Sequence, residues 1–170
     1  LLTDLGMENA RFSIKAKLTD AYFSNGKDEL EFLFSANKGG NFGELKKVAS
    51  GGELSRIMLS VKKVLSENTQ LPTIIFDEID TGVSGEISNK IAAIMQRMSA
   101  NMQVIAITHL PQIAAKGSNH YKVYKDEVNG VTTTNLKELS AEERLTEIAE
   151  MLSGKDISDS ALTHAKELLN

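Results

Sequence analysis

Pro72-Thr73-Ile74-Ile75-Phe76-Asp77-Glu78 is a short apolar run closed by a proline on one side and by two carboxylates on the other. A continuous run of this length predicts a β-strand buried on both faces, as in the interior of a parallel sheet. The same pattern returns at Val104-Ile105-Ala106-Ile107, which ends at Thr108-His109. Between the two runs, Ile87, Ile91, Ile94, Met95 and Met98 recur at helical spacing. Upstream, Leu54, Ile57, Met58, Val61, Val64 and Leu65 do the same. Ser50 and Glu53 form a capping-box pattern, which starts that helix at Gly51. Pro111 suits the first turn of a short helix after the second strand. Helix, strand, helix, strand, helix implies parallel strands joined by right-handed crossovers.

Working outward, residues 11–18 alternate, with Phe12, Ile14, Ala16 and Leu18 on one face, as expected of a half-buried strand. Leu30–Phe34 is a second apolar segment, and Asn25-Gly26 marks a turn, so a β-hairpin with a longish loop is expected. Asn37-Lys38-Gly39-Gly40 reads as a flexible connector. Beyond the central block, 120–125 and 131–136 form a hairpin pattern around Asn129-Gly130. Two helices finish the chain. The first carries the capping box Ser140/Glu143 and ends near Gly154, and the last covers about Ser160 to Leu169.

The 170 residues carry a formal charge of −4, so no global attraction to nucleic acid exists. Lys15, Lys17, Lys46, Lys47, Lys62 and Lys63 are candidate local contacts, but a solvated basic edge explains them more simply. The chain has no cysteine, which excludes disulfides and thiolate metal sites. His109, His120 and His164 lie too far apart for a metal pattern. No apolar run approaches the roughly 20 residues of a membrane span. The opening residues do not resemble a signal peptide, and the lack of a starting Met suggests a piece of something longer.

Four features carry chemistry. Asp77 and Glu78 end a central strand, where ligands of open α/β sheets bind; one carboxylate there can hold Mg²⁺ and its neighbour can orient a water, although an acidic pair after a strand more often simply starts a solvated loop. Ser50-Gly51-Gly52-Glu53 opens a helix with exposed amides, an anion site; capping explains Ser50 and Glu53 but not two successive glycines. Asp80-Thr81-Gly82-Val83-Ser84-Gly85 follows the acids, and Ser84 is also a plain N-cap candidate. His109 ends the next strand, where it can donate to a phosphate oxygen; a lone histidine there is otherwise structural.

In this order the features resemble the ABC ATPases. Ser50–Glu53 resembles their signature motif, Ile74–Glu78 their Walker B strand with its catalytic glutamate, and His109 their switch histidine. The longer stretches Ala49–Leu59, Phe76–Gly85 and Ile107–Ala114, with the opening Leu5–Ala10, are similar to the RecN family, bacterial relatives of the SMC proteins. The resemblance implies an α/β fold, the C-terminal lobe of an ABC-type P-loop ATPase head, with a mainly parallel sheet core, flanking helices and β-hairpins. It implies that 1–10 end a coiled-coil junction and 11–170 form the head lobe. It implies ATP and Mg²⁺ as cofactors, with Asp77 on the metal and Glu78 and His109 catalytic. Ser50, Gly51, Gly52 and Glu53, with Ser84 and Gly85 of the D-loop, would serve nucleotide at a seam between two heads. The implied partners are the N-terminal Walker A lobe of the same protein, a second head and DNA. The implied setting is DNA double-strand-break repair and recombination in the cytoplasm, at the nucleoid.

The D-loop departs from the Leu-Asp ending usual in transporter ATPases and SMC proteins. No G-x-x-x-x-G-K-[ST] occurs anywhere, so the phosphate-cradling loop is absent and the chain alone is expected to be inactive. The alternatives are a transporter ATPase fragment and a non-catalytic SMC-like binding module. Glu53-Leu54-Ser55-Arg56 and the D-loop sequence weigh against the first, and intact Asp77, Glu78 and His109 against the second.

Overall fold

The fold is described from a computed structural model, for residues 1–83, 85–128 and 130–170. It divides into two compact units, Leu1–Leu71 with Ile79–Lys90, and Pro72–Glu78 with Ile91–Asn170. Among the described residues no helix is long and apolar enough to cross a membrane.

In the first unit, strands β1 (Arg11–Phe23) and β2 (Gly26–Ser35) pair antiparallel, and β2 also pairs with the two-residue strand β3 (Gly43–Glu44). The hairpin loop is two residues long rather than the long loop expected, because both strands continue past the alternating segment; a register irregularity between Leu18 and Phe23 absorbs the difference. Phe12 stands opposite Phe34, Ile14 opposite Phe32 and Ala16 opposite Leu30, so one face is apolar. The expected half-burial is not observed along it: Phe34 is buried, but Ile14 is 62% exposed and Leu18 73%. The connector is not loose either. Ser35 Oγ donates to the carbonyls of Asn37 and Gly40, and Arg11 donates to the Gly40 carbonyl while lying over the Phe42 ring. It leads through the short helix α1 (Leu45–Val48) into α2 (Gly51–Asn68). Ile57 of α2 packs with Phe34 and Met7 in a small core. Met58, Val61, Val64 and Leu65 stay exposed, so most of the apolar face of α2 is bare.

In the second unit, β4 (Thr73–Asp77) and β5 (Gln103–Ile107) pair in parallel, as the alternation predicts. The connecting helix α3 (Glu86–Met98) belongs to the second unit from Ile91 onward and buries Ile91, Ile94, Met95 and Met98. The expectation of strands covered on both faces fails. Ile74 and Phe76 are buried, but Ile75 is 55% exposed, and its neighbours Ile105 and Ile107 are 42% and 54% exposed. Registered pairs in a parallel ladder share a face, so Thr73, Ile75, Asp77, Gln103, Ile105 and Ile107 form one uncovered surface. Helix α4 (Pro111–Ala114) follows, with Pro111 at its start. Strands β6 (Tyr121–Val128) and β7 (Val131–Glu138) form the second hairpin; Gly130 has φ +75°, while Asn129, expected in its turn, lies outside the described residues. Helices α5 (Ala141–Ser153) and α6 (Asp159–Leu169) pack through Ile148, Ala149, Ala161 and Ala165, with Ala115 in the same core. Ser140 and Glu143 form the full capping box, and Gly154 ends α5 at φ +79°.

Candidate functional site

The first unit carries the glycine-opened helix. Ser50 is the N-cap of α2 with extended backbone, and both arms of the capping box are formed. The Glu53 amide donates to Ser50 Oγ at 3.3 Å, and the Ser50 amide donates to Glu53 Oε2 at 2.8 Å. Ser50 Oγ also donates to that carboxylate oxygen at 2.7 Å. The Ser50 amide, and then its hydroxyl, hold the Glu53 carboxyl below the usual range for glutamate. A carboxylate therefore already sits at the positive end of the α2 dipole.

The two glycines have different surroundings. A Cβ on Gly51 would meet nothing within 4 Å. A Cβ on Gly52 would press on the Thr81 carbonyl at 3.1 Å and the Gly82 carbonyl at 3.4 Å. Close backbone approach to the loop after the acids thus leaves little room for a side chain at 52, while position 51 opens on space. In that loop Ile79, Asp80 and Val83 are buried, and the Val83 amide donates to the Asp80 carbonyl at 3.1 Å. Asp80 is fully buried, so its side chain belongs to the interior rather than to an exposed seam. Gly85 is exposed with φ +57°, and its carbonyl accepts from Ser88 Oγ at 2.6 Å. Ser84 lies outside the described residues.

The second unit carries the acids and the imidazole. Asp77 ends β4 in register with Ile107, and His109 stands two residues beyond Ile107, so both lie at the carboxyl end of the parallel pair. The Glu78 amide donates to the Ile107 carbonyl at 3.2 Å, extending the ladder by one bond into the site. Glu78 is the one non-glycine residue with positive φ (+47°) among the described residues. That conformation costs an L-residue about 1–2 kcal/mol. Asp77, Glu78 and His109 are all exposed. The Leu110 amide donates to Thr108 Oγ1 at 3.0 Å, fixing the backbone on either side of His109.

Among the described residues no group of three or more metal-binding side chains exists. Mg²⁺ does not require one, since it is held by one or two carboxylates together with phosphate oxygens and water. Asp77 and Glu78 fit that donor set. Of the candidate DNA-contact lysines, Lys47 pairs with Glu44 and Lys63 with Glu67, while Lys15 and Lys17 stand opposite Glu31 and Glu29. Acidic neighbours thus offset these cations, as in a solvated edge. Sequence reasoning missed Arg144, whose guanidinium holds the turn that follows α4. Among the glutamates of a surface helix, nothing in its local sequence separates it from a solvated charge.

The fold is that of the C-terminal lobe of an SMC-type head domain. The structure superposes on the Smc head domain of Pyrococcus yayanosii with TM-score 0.63 and 20% identity, covering 90% of this chain and 28% of that one. It also matches a structure from a study of ATP-driven dimerization and DNA-stimulated activation of SMC ATPases, with TM-score 0.53, 22% identity and 82% of each chain covered. No family model matches the sequence. Proteins named DNA repair protein RecN do match, for example that of Halalkalibacterium halodurans at 42% identity over 99% of this chain and 31% of its own length. That of Rickettsia typhi is 44% identical over 99% of this chain and 30% of its own length. The chain belongs to the RecN family and spans about a third of the length of the relatives it matches.

Proposed function

We propose that this chain supplies one half of an ATP site in a DNA-repair ATPase, and that it hydrolyses ATP only when joined to a Walker A lobe. The carrying observation is the uncovered face of β4 and β5. A two-stranded parallel sheet normally has both faces covered. Here Ile75, Ile105 and Ile107 are bare, and Asp77 shares their face. Covering the exposed half of each of those isoleucines is worth about 1 kcal/mol. The occupant is the N-terminal lobe of the same protein, part of the roughly two-thirds of the matched relatives' length that this chain does not span. Its arrival would set the phosphate-cradling loop beside Asp77.

In the assembled site Asp77 would hold Mg²⁺ through a carboxylate oxygen, and the bound ion would supply charge neutralisation at the phosphates. Glu78 orients or deprotonates the attacking water. Its left-handed backbone turns its side chain out of the strand alternation set by Phe76 and Asp77. His109 donates to a γ-phosphate oxygen. Ser50 and the Gly51 and Gly52 amides meet the γ-phosphate held by a second head, with Ser84 and Gly85 at the same seam. In the lobe as it stands, Glu53 occupies the Ser50 hydroxyl, so arrival of nucleotide exchanges one anion for another at the α2 terminus. Residues 1–10 are read as the end of a coiled-coil junction and 11–170 as the head lobe. DNA contacts belong to the full-length protein. Its setting is the cytoplasm, at the nucleoid, in double-strand-break repair and recombination.

The test is ATP turnover by the isolated lobe, by an equimolar mixture with the N-terminal lobe, and by the same mixture with Ile105→Asp. Turnover appears only in the unmodified mixture, and the charged variant prevents association. Unimpaired association of Ile105→Asp would remove the β4–β5 face as the docking surface.

A further inference from the structure

We infer that Arg144 is a positioning residue for His109, acting through α4; this rests on the proposed role of His109 at the nucleotide. Arg144 sits on the first turn of α5, far along the chain from the switch histidine. One guanidinium nitrogen donates to the Ala115 carbonyl at 2.6 Å and to the Gly117 carbonyl, and the other donates to the Ser118 carbonyl at 3.4 Å. These carbonyls belong to the turn just past α4, beyond the helical hydrogen-bond ladder, so their partners must come from elsewhere. A planar fork can bridge several of them at once, which a lysine ammonium cannot do in the same geometry.

The other end of α4 starts two residues after His109, with Leu110 between them as N-cap. The Leu110 carbonyl accepts from the Ile113 and Ala114 amides, both at 3.1 Å, and the Leu110 amide is tied to Thr108 Oγ1. Ala115 is buried in the core made by α5 and α6. Four residues of helix therefore join the histidine to a clamp seated on the C-terminal helix pair. With so short a link, a shift of the clamped turn moves the His109 backbone. Displacements of about 1 Å at a reacting group can cost on the order of 100-fold in rate.

The experiment is a double-mutant cycle in the full-length protein, with kcat and KM for ATP measured for Arg144→Ala, His109→Ala and the pair. Arg144→Ala is expected to lower kcat about 10-fold to 100-fold with KM little changed. The pair should be no slower than His109→Ala alone, because a misplaced imidazole that has been deleted cannot be lost twice. Arg144→Lys, which keeps charge and part of the donor set, should recover part of kcat and stands in should the alanine variant fail to fold. Multiplying effects in the pair, or an unchanged kcat in both Arg144 variants, would overturn the inference. An unaffected kcat in His109→Ala would instead sink the proposed role of His109, and the positioning role with it.

Discussion

Glu78 is held at φ +47°, directly after a β-strand whose other residues are extended. Strain of this kind persists where the surroundings impose it, and it gathers at functional positions. Two substitutions separate the backbone from the carboxylate. Glu78→Gly relieves the left-handed strain, so the melting temperature of the lobe should hold or rise, by up to about 1–2 kcal/mol in stability. In the full-length protein, Glu78→Gln is expected to lower turnover at least about 100-fold, to retain bound ATP and to stabilise paired heads, as followed by nucleotide retention and cross-linking. Unchanged turnover would remove Glu78 from its role. The glycines of the α2 terminus offer a second contrast at this scale. Gly52→Ala must displace the Thr81 carbonyl and should lower the melting temperature, whereas Gly51→Ala meets no atom and should not. Equal thermal shifts in the two variants would contradict the close approach.

Helices and strands show where periodicity suffices and where it stops. The start of α2 at Gly51, both capping boxes, the end of α5 at Gly154 and the parallel pairing of β4 with β5 were legible, because caps and spacing are local. What covers an apolar face is not local. Ile14, Ile75 and Ile105 carry the same signal whether their partner lies in this chain or in another lobe, so burial was over-read there. The Asn37–Gly40 connector was misread because its order comes from Arg11 and Ser35, distant in sequence. The positions of Asp77, Glu78 and His109 after their strands were legible, and the left-handed backbone of Glu78 and the Arg144 hydrogen bonds were not. His120 leads into β6 near α5; burial, then the Arg144 guanidinium, pushes its imidazole below the ordinary 6.5, with Lys122 adding to this and Glu147 opposing it. The unfolded histidine takes up a proton near 6.5, whereas the folded one resists until lower pH. The stability from its neutral form is therefore complete above 6.5 and declines as the pH falls towards the folded value. The thermal midpoint should drop as the pH falls below 6.5, and His120→Gln should flatten that drop. An identical profile in the variant would exclude His120 as its source.

At the scale of the molecule, the first hairpin, α2 and the β4–β5 pair each leave apolar side chains bare. An acidic pair and an imidazole share the carboxyl end of the parallel strands, while the loop that would cradle phosphate is missing from the sequence. The half-site reading is tested most directly by magnesium-dependent ATP hydrolysis, with the 170-residue lobe assayed alone and then with the N-terminal lobe added. We predict no turnover in the first case and its appearance in the second. Sustained hydrolysis by the lobe alone would contradict it.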